Sequence, residues 1–367
     1  MSPSQKLTET PSQPAFSPAT CRLWLAVLAL AAVAAVALPG PAKATNDEVN
    51  LYSYRQAFLM KPLLEAFEAE TGIKTNVVYA KKGLVEKLKA EGANSPADVI
   101  LVSDISRLVE LEDANLIQPV NSATLAANIP AAYRHPENLW FGMTYRARVV
   151  YAHKDRVKPG EIATYEDLAS PAFKGRVCTR SGKHDYNITL LASIISARGE
   201  AAAEDWARGL KANLARRPQG NDRAQVKAIY QGECDVSIGN TYYMGKMATN
   251  EKDPEQKDWA KAVSIVFPNQ PGQGDGRGAH INISGAAVTK SAQRRDAAVK
   301  LLEFLSGDTA QKIYAEQNFE YPVKADAALH PLVQSWGSFT ADTRSLREVA
   351  KLKATASKIM DRVGFDH

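Results

Sequence analysis

The sequence lacks the short signatures on which much enzyme chemistry is built. It has no Gly-x-Ser-x-Gly elbow, no His-Glu-x-x-His pair and no phosphate loop ending in Gly-Lys-Ser/Thr. Those absences remove the commonest serine-hydrolase, zinc-peptidase and nucleotide-hydrolase frameworks. The six histidines (His135, His153, His184, His280, His330, His367) are scattered, with no pair at zinc-ligand spacing. Gly272 to Gly278 is glycine-rich but follows no suitable strand, so it reads as a flexible loop and not as a dinucleotide turn. The formal net charge is only +5, and no basic stripe studded with aromatics is present, so nucleic acid is not an expected partner. No nucleophile–base pair can be assembled from the residues; an enzyme would have to work with Asp104, His184 and tyrosines alone, and none is expected.

What is present is an ordinary globular composition, 45% hydrophobic and 23% charged, in a chain long enough for two domains. The first 44 residues read as a targeting segment. Arg22 precedes the apolar run Leu23 to Leu38, Pro39-Gly40-Pro41 breaks it, and Ala42-Lys43-Ala44 has the small-x-small form of a cleavage site. Lys6, Arg22 and Lys43 against Glu9 give this leader +2, leaving +3 for the rest. The run falls short of the ~20 residues of a spanning helix. Export with cleavage is therefore expected, and with it a periplasmic location. Cys21 lies in the leader; Cys178 and Cys234, 56 residues apart, remain. In an oxidising compartment a disulfide between them and two buried thiols stay equally open.

Beyond the leader, strand and helix patterns alternate. Val49 to Tyr54, Ile73 to Tyr79 and Asp98 to Val102 read as strands, separated by helices, the first of which is expected to become regular near Pro62. This is an open α/β lobe, whose ligands sit beyond the carboxyl ends of its strands, at Tyr54-Arg55-Gln56 and Ser103-Asp104. Trp140 to Ala152 reads as a long strand that leaves this lobe and enters a second, with Arg146 and Arg148 on one side of it. Short strands at Gly175–Thr179 and before Asn240 carry the two cysteines, and His280 to Val288 returns the chain to the first lobe. The expected division is 45–143 with 279–325 for the first lobe, 144–278 for the second and 326–367 for C-terminal helices.

Two features of the second lobe match. Each cysteine strand is followed, eight positions after the cysteine, by a tyrosine: Tyr186 and Tyr242, the latter adjoining Tyr243. Consecutive side chains on a strand diverge, so Tyr242 and Tyr243 share a cleft only if the strand stops at Asn240 and the chain turns. Three phenols, each ionising near pH ~10 in water, act as anions at neutral pH only beside a strong cation. Fe³⁺ suits anionic oxygen better than Zn²⁺ or Ca²⁺ does. Arg146 or Arg55 is then placed to hold a small anion such as carbonate. The plain alternative is that the tyrosines pack at a sheet edge.

The order Val49-Asn50-Leu51-Tyr52-Ser53, Ser95-Pro96-Ala97-Asp98-Val99, Arg146-Ala147-Arg148-Val149, Tyr186-Asn187 and Asn240-Thr241-Tyr242-Tyr243 resembles that of the periplasmic ferric-ion-binding proteins, the substrate-binding components of iron(III) ABC transporters. The resemblance spans nearly the whole chain after the leader. It implies the two-lobed type II periplasmic-binding-protein fold, α/β with a mixed sheet flanked by helices in each lobe and the ligand in the interlobe cleft. It also implies Tyr186, Tyr242 and Tyr243 as iron ligands, Arg146 as anion contact and Asn240 as a source of supporting hydrogen bonds. Family members that add a histidine or a His-Tyr pair place it just after the first strand. Gln56 and Ala57 stand there in this sequence, with Tyr54 nearby and Tyr145 on the crossover strand as further contributors. The implied partner is an inner-membrane ABC permease, and the implied state a monomer. The rival reading is a receptor of the same fold for a polyamine, thiamine or a phosphonate; a structural or adhesive role does not fit the regular, repeat-free α/β pattern.

Overall fold

A computed structural model describes residues 47–367; the expected leader, 1–44, lies outside them. Among the described residues nine strands form one continuous sheet: β1 (Glu48–Ser53), β2 (Lys74–Tyr79), β3 (Val99–Val102), β4 (Phe141–His153), β5 (Val177–Cys178), β6 (Val236–Asn240), β7 (Val263–Val266), β8 (Ile281–Val288) and β9 (Tyr321–Pro322). Its order is β2-β1-β3-β8-β4-β6-β5, with β7 and β9 also on β4.

β4 is the axle. Its first half pairs antiparallel with β8, from Phe141↔Ala286 to Ala147↔Ile281, and with β9. Its second half pairs antiparallel with β6, from Arg148↔Asn240 to Ala152↔Val236, and with β7. The partners change at residues 147–148. Parallel pairs β1–β2, β1–β3 and β5–β6 complete two mixed half-sheets, the first built around β1 to β3 and the second around β6. The expectation of a long strand passing between lobes is met by a thirteen-residue strand of mostly buried, β-favouring residues.

Each half-sheet has its own core. Leu51, Leu63, Phe67, Val99, Leu101, Val288 and Leu301 are buried on the first. Val150, Leu168, Phe173, Leu191, Ile194, Trp206 and Ile238 are buried on the second, and Val349, Ile359, Met360 and Phe365 of the C-terminal region join them. At ~1.5–3 kcal/mol for each large apolar side chain, this packing fastens the C-terminal helices to the second half.

Two local expectations are corrected. The first helix runs Ala57–Thr71 with Pro62 inside it, not from Pro62 onward, because Met60, Leu63, Leu64 and Phe67 bury one face and outweigh the single hydrogen bond that proline removes. Ile188 to Arg198 and Glu204 to Leu214, which read as two helices in sequence, are met by the span Asp185–Ala212, which Gly199 breaks in two with a φ of 81°. The chain after Asn240 does not simply turn: a helix, Thr241–Ala248, starts at once. The aromatic pair there looks strand-like in sequence, and burial of Tyr243, Met244 and Met247 decides for helix. Cys178 and Cys234 are joined as a disulfide, which ties β5 to the residues entering β6.

Candidate metal centre

Tyr186 and Tyr242 occupy equivalent places, each the second residue of a helix that follows a short strand of the second half-sheet. His184 caps the first helix, its Nδ1 accepting the Tyr186 N–H at 3.1 Å. Asn240 stands at the cap position of the other. The two helix starts bring the phenol oxygens of Tyr186 and Tyr242 to 3.3 Å from each other. Tyr243 lies with its ring 4.3 Å from that of Tyr242, centroid to centroid. Helical, not extended, backbone lets adjacent tyrosines stay together, and the helix N-termini favour negative charge at these side chains.

The guanidiniums of Arg146, Arg148 and Arg180 surround the Tyr186 ring at 5.4, 5.7 and 5.1 Å, and that of Arg223 lies 5.6 Å from the Tyr243 ring. Beneath them Asp222, fully buried, accepts hydrogen bonds from Arg148 at 2.8 Å, Arg180 at 2.8 Å and the Asn240 N–H at 3.0 Å. Burial alone would raise its carboxyl pKa; the two guanidiniums outweigh burial and hold it below the usual range. Arg148 also donates to Asn240 Oδ1 at 3.0 Å and Asn187 Oδ1 at 2.7 Å. Two arginines to one aspartate leave an excess of positive charge under the tyrosines. The nearby histidines register that field: burial, followed by the arginines, pushes His184 down to about 4 and His280 to about 3.

The backbone beneath this network is also committed. Gly239 in β6 lies so close to the Tyr151 ring that a Cβ there would sit 2.0 Å from it. Without that side chain, the Tyr151 hydroxyl reaches the Asn240 carbonyl and fixes the end of β6. Asn240 Nδ2 and Arg146 Nη1 are buried with no partner. Both are donors beside the tyrosines, as an added anion or water would require.

Tyr186, Tyr242 and Arg146 line a cavity of about 50 Å³ together with Tyr54, Arg55, Gln56, Leu59, Ser103, Ser284 and Glu320. The cavity has room for an ion and a few water-sized ligands. The first-lobe side chains facing it are largely partnered. Arg55 forms a two-pronged pair with Glu320, at 3.2 and 2.7 Å, and the Tyr54 hydroxyl accepts the Val85 N–H at 2.8 Å. Gln56 is exposed at the start of the Ala57–Thr71 helix. Tyr145 is stacked between Tyr133 and Tyr321, at centroid distances of 5.4 and 5.1 Å, and is not among the side chains lining the cavity. Tyr243 is likewise not among the lining side chains.

Burial, then the neighbouring phenols Tyr186 and Tyr243, holds the Tyr242 hydroxyl well above the ordinary phenol range, with Arg146 opposing. Burial likewise pushes Tyr243 up to about 12. Without a cation the pair stays protonated, so whatever binds here as a metal displaces protons. Sequence reasoning missed Asp222, Arg180 and Glu320. Asp222 looks in sequence like an ordinary acidic first-turn residue, and only the fold reveals the two arginines it holds.

Comparison with known proteins places the chain. Residues 52–312 match the model of the bacterial extracellular solute-binding protein family. Iron uptake protein A1 of Synechocystis sp. is 47% identical over 321 residues, covering 87% of this chain and 88% of that protein. Among solved structures, apo ferric ion-binding protein A of Pasteurella haemolytica is 50% identical with a TM-score of 0.83, covering 88% of this chain and 99% of its own. A Trichodesmium protein solved in complex with iron and citrate ligands is 44% identical, with a TM-score of 0.80 over 87% of this chain and 99% of its own. The chain belongs to the bacterial extracellular solute-binding protein family, in the branch of the ferric-ion-binding proteins with the type II periplasmic-binding fold.

Proposed function

We propose that Tyr186, Tyr242 and Tyr243 bind Fe³⁺ as phenolates on the second lobe, with a small anion such as carbonate or citrate held at Arg146 beside them. The observation that carries this reading is the meeting of two phenol oxygens, 3.3 Å apart, at two helix N-termini above a surplus of buried guanidinium charge. Three phenolates neutralise a ferric ion, and the arginines beside them favour the ionised phenols once the metal has displaced their protons. The cargo is ferric iron and the role is iron uptake: a binding protein, not an enzyme, that works in the periplasm after loss of residues 1–44 and passes iron to an inner-membrane ABC permease. The mobile units are a first lobe of 45–143 with 279–325 and a second of 144–278, and the chain acts as a monomer. Among the described residues no helix is long and apolar enough to cross a membrane.

Titration of the chain with ferric nitrilotriacetate, followed by visible absorption, tests this. A phenolate-to-iron band that saturates at one iron per chain is expected. A colourless protein that instead binds a polyamine, thiamine or a phosphonate would replace this reading with that of an organic-ligand receptor.

A further inference from the structure

The residue before Tyr186 makes a contact that iron ligation does not explain. Asp185 pairs through Oδ2 with Arg107 at 2.9 Å and through Oδ1 with Lys353 at 2.9 Å. Arg107 belongs to the Ile105–Asp113 helix, which follows β3 of the first half-sheet, whereas Asp185 opens the helix that follows β5 of the second. Lys353 begins the Lys353–Arg362 helix, whose Ala356, Ile359 and Met360 are packed into the second core.

Two further bonds run beside this pair. Lys353 Nζ donates to Ser106 Oγ at 3.0 Å, and Thr189 Oγ1 donates to Asp104 Oδ2 at 3.3 Å. Asp104, Ser106 and Arg107 thus grip Thr189, Lys353 and Asp185, one helix start against another. Asp104 is itself fixed, capping its helix through the Ser106 N–H at 2.9 Å and accepting Asn282 Nδ2 at 2.9 Å. Arg107 also lies over the Tyr54 ring at 4.1 Å, and Tyr54 lines the cavity from the first lobe. An unbroken chain of contacts therefore runs from the first wall (Tyr54) through Arg107 and Asp185 to Tyr186 on the second.

We propose that Asp185, bridged to Arg107, is the interlobe fastener that holds the cleft closed and positions Tyr186 for retaining ferric ion. The inference rests on the ferric reading above and deepens it: Asp185 and Arg107 are positioning residues, acting through Tyr186 and touching no cargo. Separation of the lobes breaks the Arg107 bond, whereas the Lys353 bond to Asp185 travels with the second lobe. Retention, and so release, is where the pair acts; capture by the open form does not use it.

The test loads the chain with ferric nitrilotriacetate and follows loss of the visible band after adding excess EDTA. Arg107→Gln and Asp185→Asn are each expected to release iron roughly fivefold faster or more. The double variant is expected to be no faster than Asp185→Asn alone, because that single change already removes the Arg107 bond. Capture rate, spectrum and melting temperature of the iron-free chain should stay at wild-type values, which a merely structural contact would not ensure. Arg107→Lys, which keeps the charge, should recover most of the retention. Wild-type release rates in both single variants, or effects that multiply in the double, would overturn the fastener. A wild-type chain that never colours would sink both the fastener and the ferric reading, whereas colour with unaltered release sinks the fastener alone.

Discussion

The two walls of the cavity differ in how much of their polarity is already spent. On the first-lobe side Arg55 holds Glu320 through both terminal nitrogens, with only its Nε unpaired, and the Tyr54 oxygen accepts a backbone N–H. On the second, the phenol oxygens of Tyr186 and Tyr242 have each other, and Arg146 keeps a buried nitrogen unpaired. A group with its partners in place has little to offer a cargo, while clustered phenols above surplus guanidinium charge have much. The contrast assigns the chemistry of binding to one wall and leaves the other to closing over it. The second wall is also braced, by the Asp222 network and by the disulfide.

That contrast can be broken at graded cost. The largest effect is expected from Asp222→Asn, which leaves two buried arginines facing each other and should cost about 3–5 kcal/mol of stability, read from denaturant unfolding. The sign with pH follows from the depressed carboxyl. Its contribution is present above the unfolded value of ~3.9 and is lost as pH falls through the lower folded value, so the variant should lose that part of the acid sensitivity. Next is the disulfide. With its cysteines 56 positions apart, replacing both with alanine should cost roughly 4 kcal/mol, seen as a lower unfolding midpoint.

Tyr242→Phe should leave stability nearly intact but weaken ferric binding by about 100-fold or more, measured by competition with a chelator. Its phenol is held protonated in the absence of metal, so affinity in the unaltered chain should fall steadily as pH is lowered from 8 to 5. The smallest effect belongs to the first wall. Gln56→Ala, at an exposed residue, should change affinity by about twofold or less. A large loss at Gln56 would erase the distinction between the walls.

Much of this architecture is legible along the chain, and the parts that are not share a cause. Hydrophobic sequence marks β3 and the axle strand, because both are buried along nearly their whole length. Arg146 and Arg148, two apart on a strand, had to share a face, and both meet the Tyr186 ring. The helix start at Thr241 was hidden because aromatic residues favour strands intrinsically and only packing reverses that preference. Asp222 with Arg148 and Arg180, and Arg107 with Asp185, join residues 74, 42 and 78 positions apart. No local pattern encodes such pairs. They exist only once the sheet order has brought the helix starts together, which is why Asp222, Arg180 and the Arg107–Asp185 pair escape a reading of the sequence.

Resonance Raman spectroscopy of the ferric-loaded chain, excited within its visible band, tests the central claim most directly. Tyrosinate ring vibrations enhanced in the unaltered protein, and weakened in both Tyr186→Phe and Tyr242→Phe, are the predicted result. A loaded protein whose spectrum carries no tyrosinate modes would contradict it.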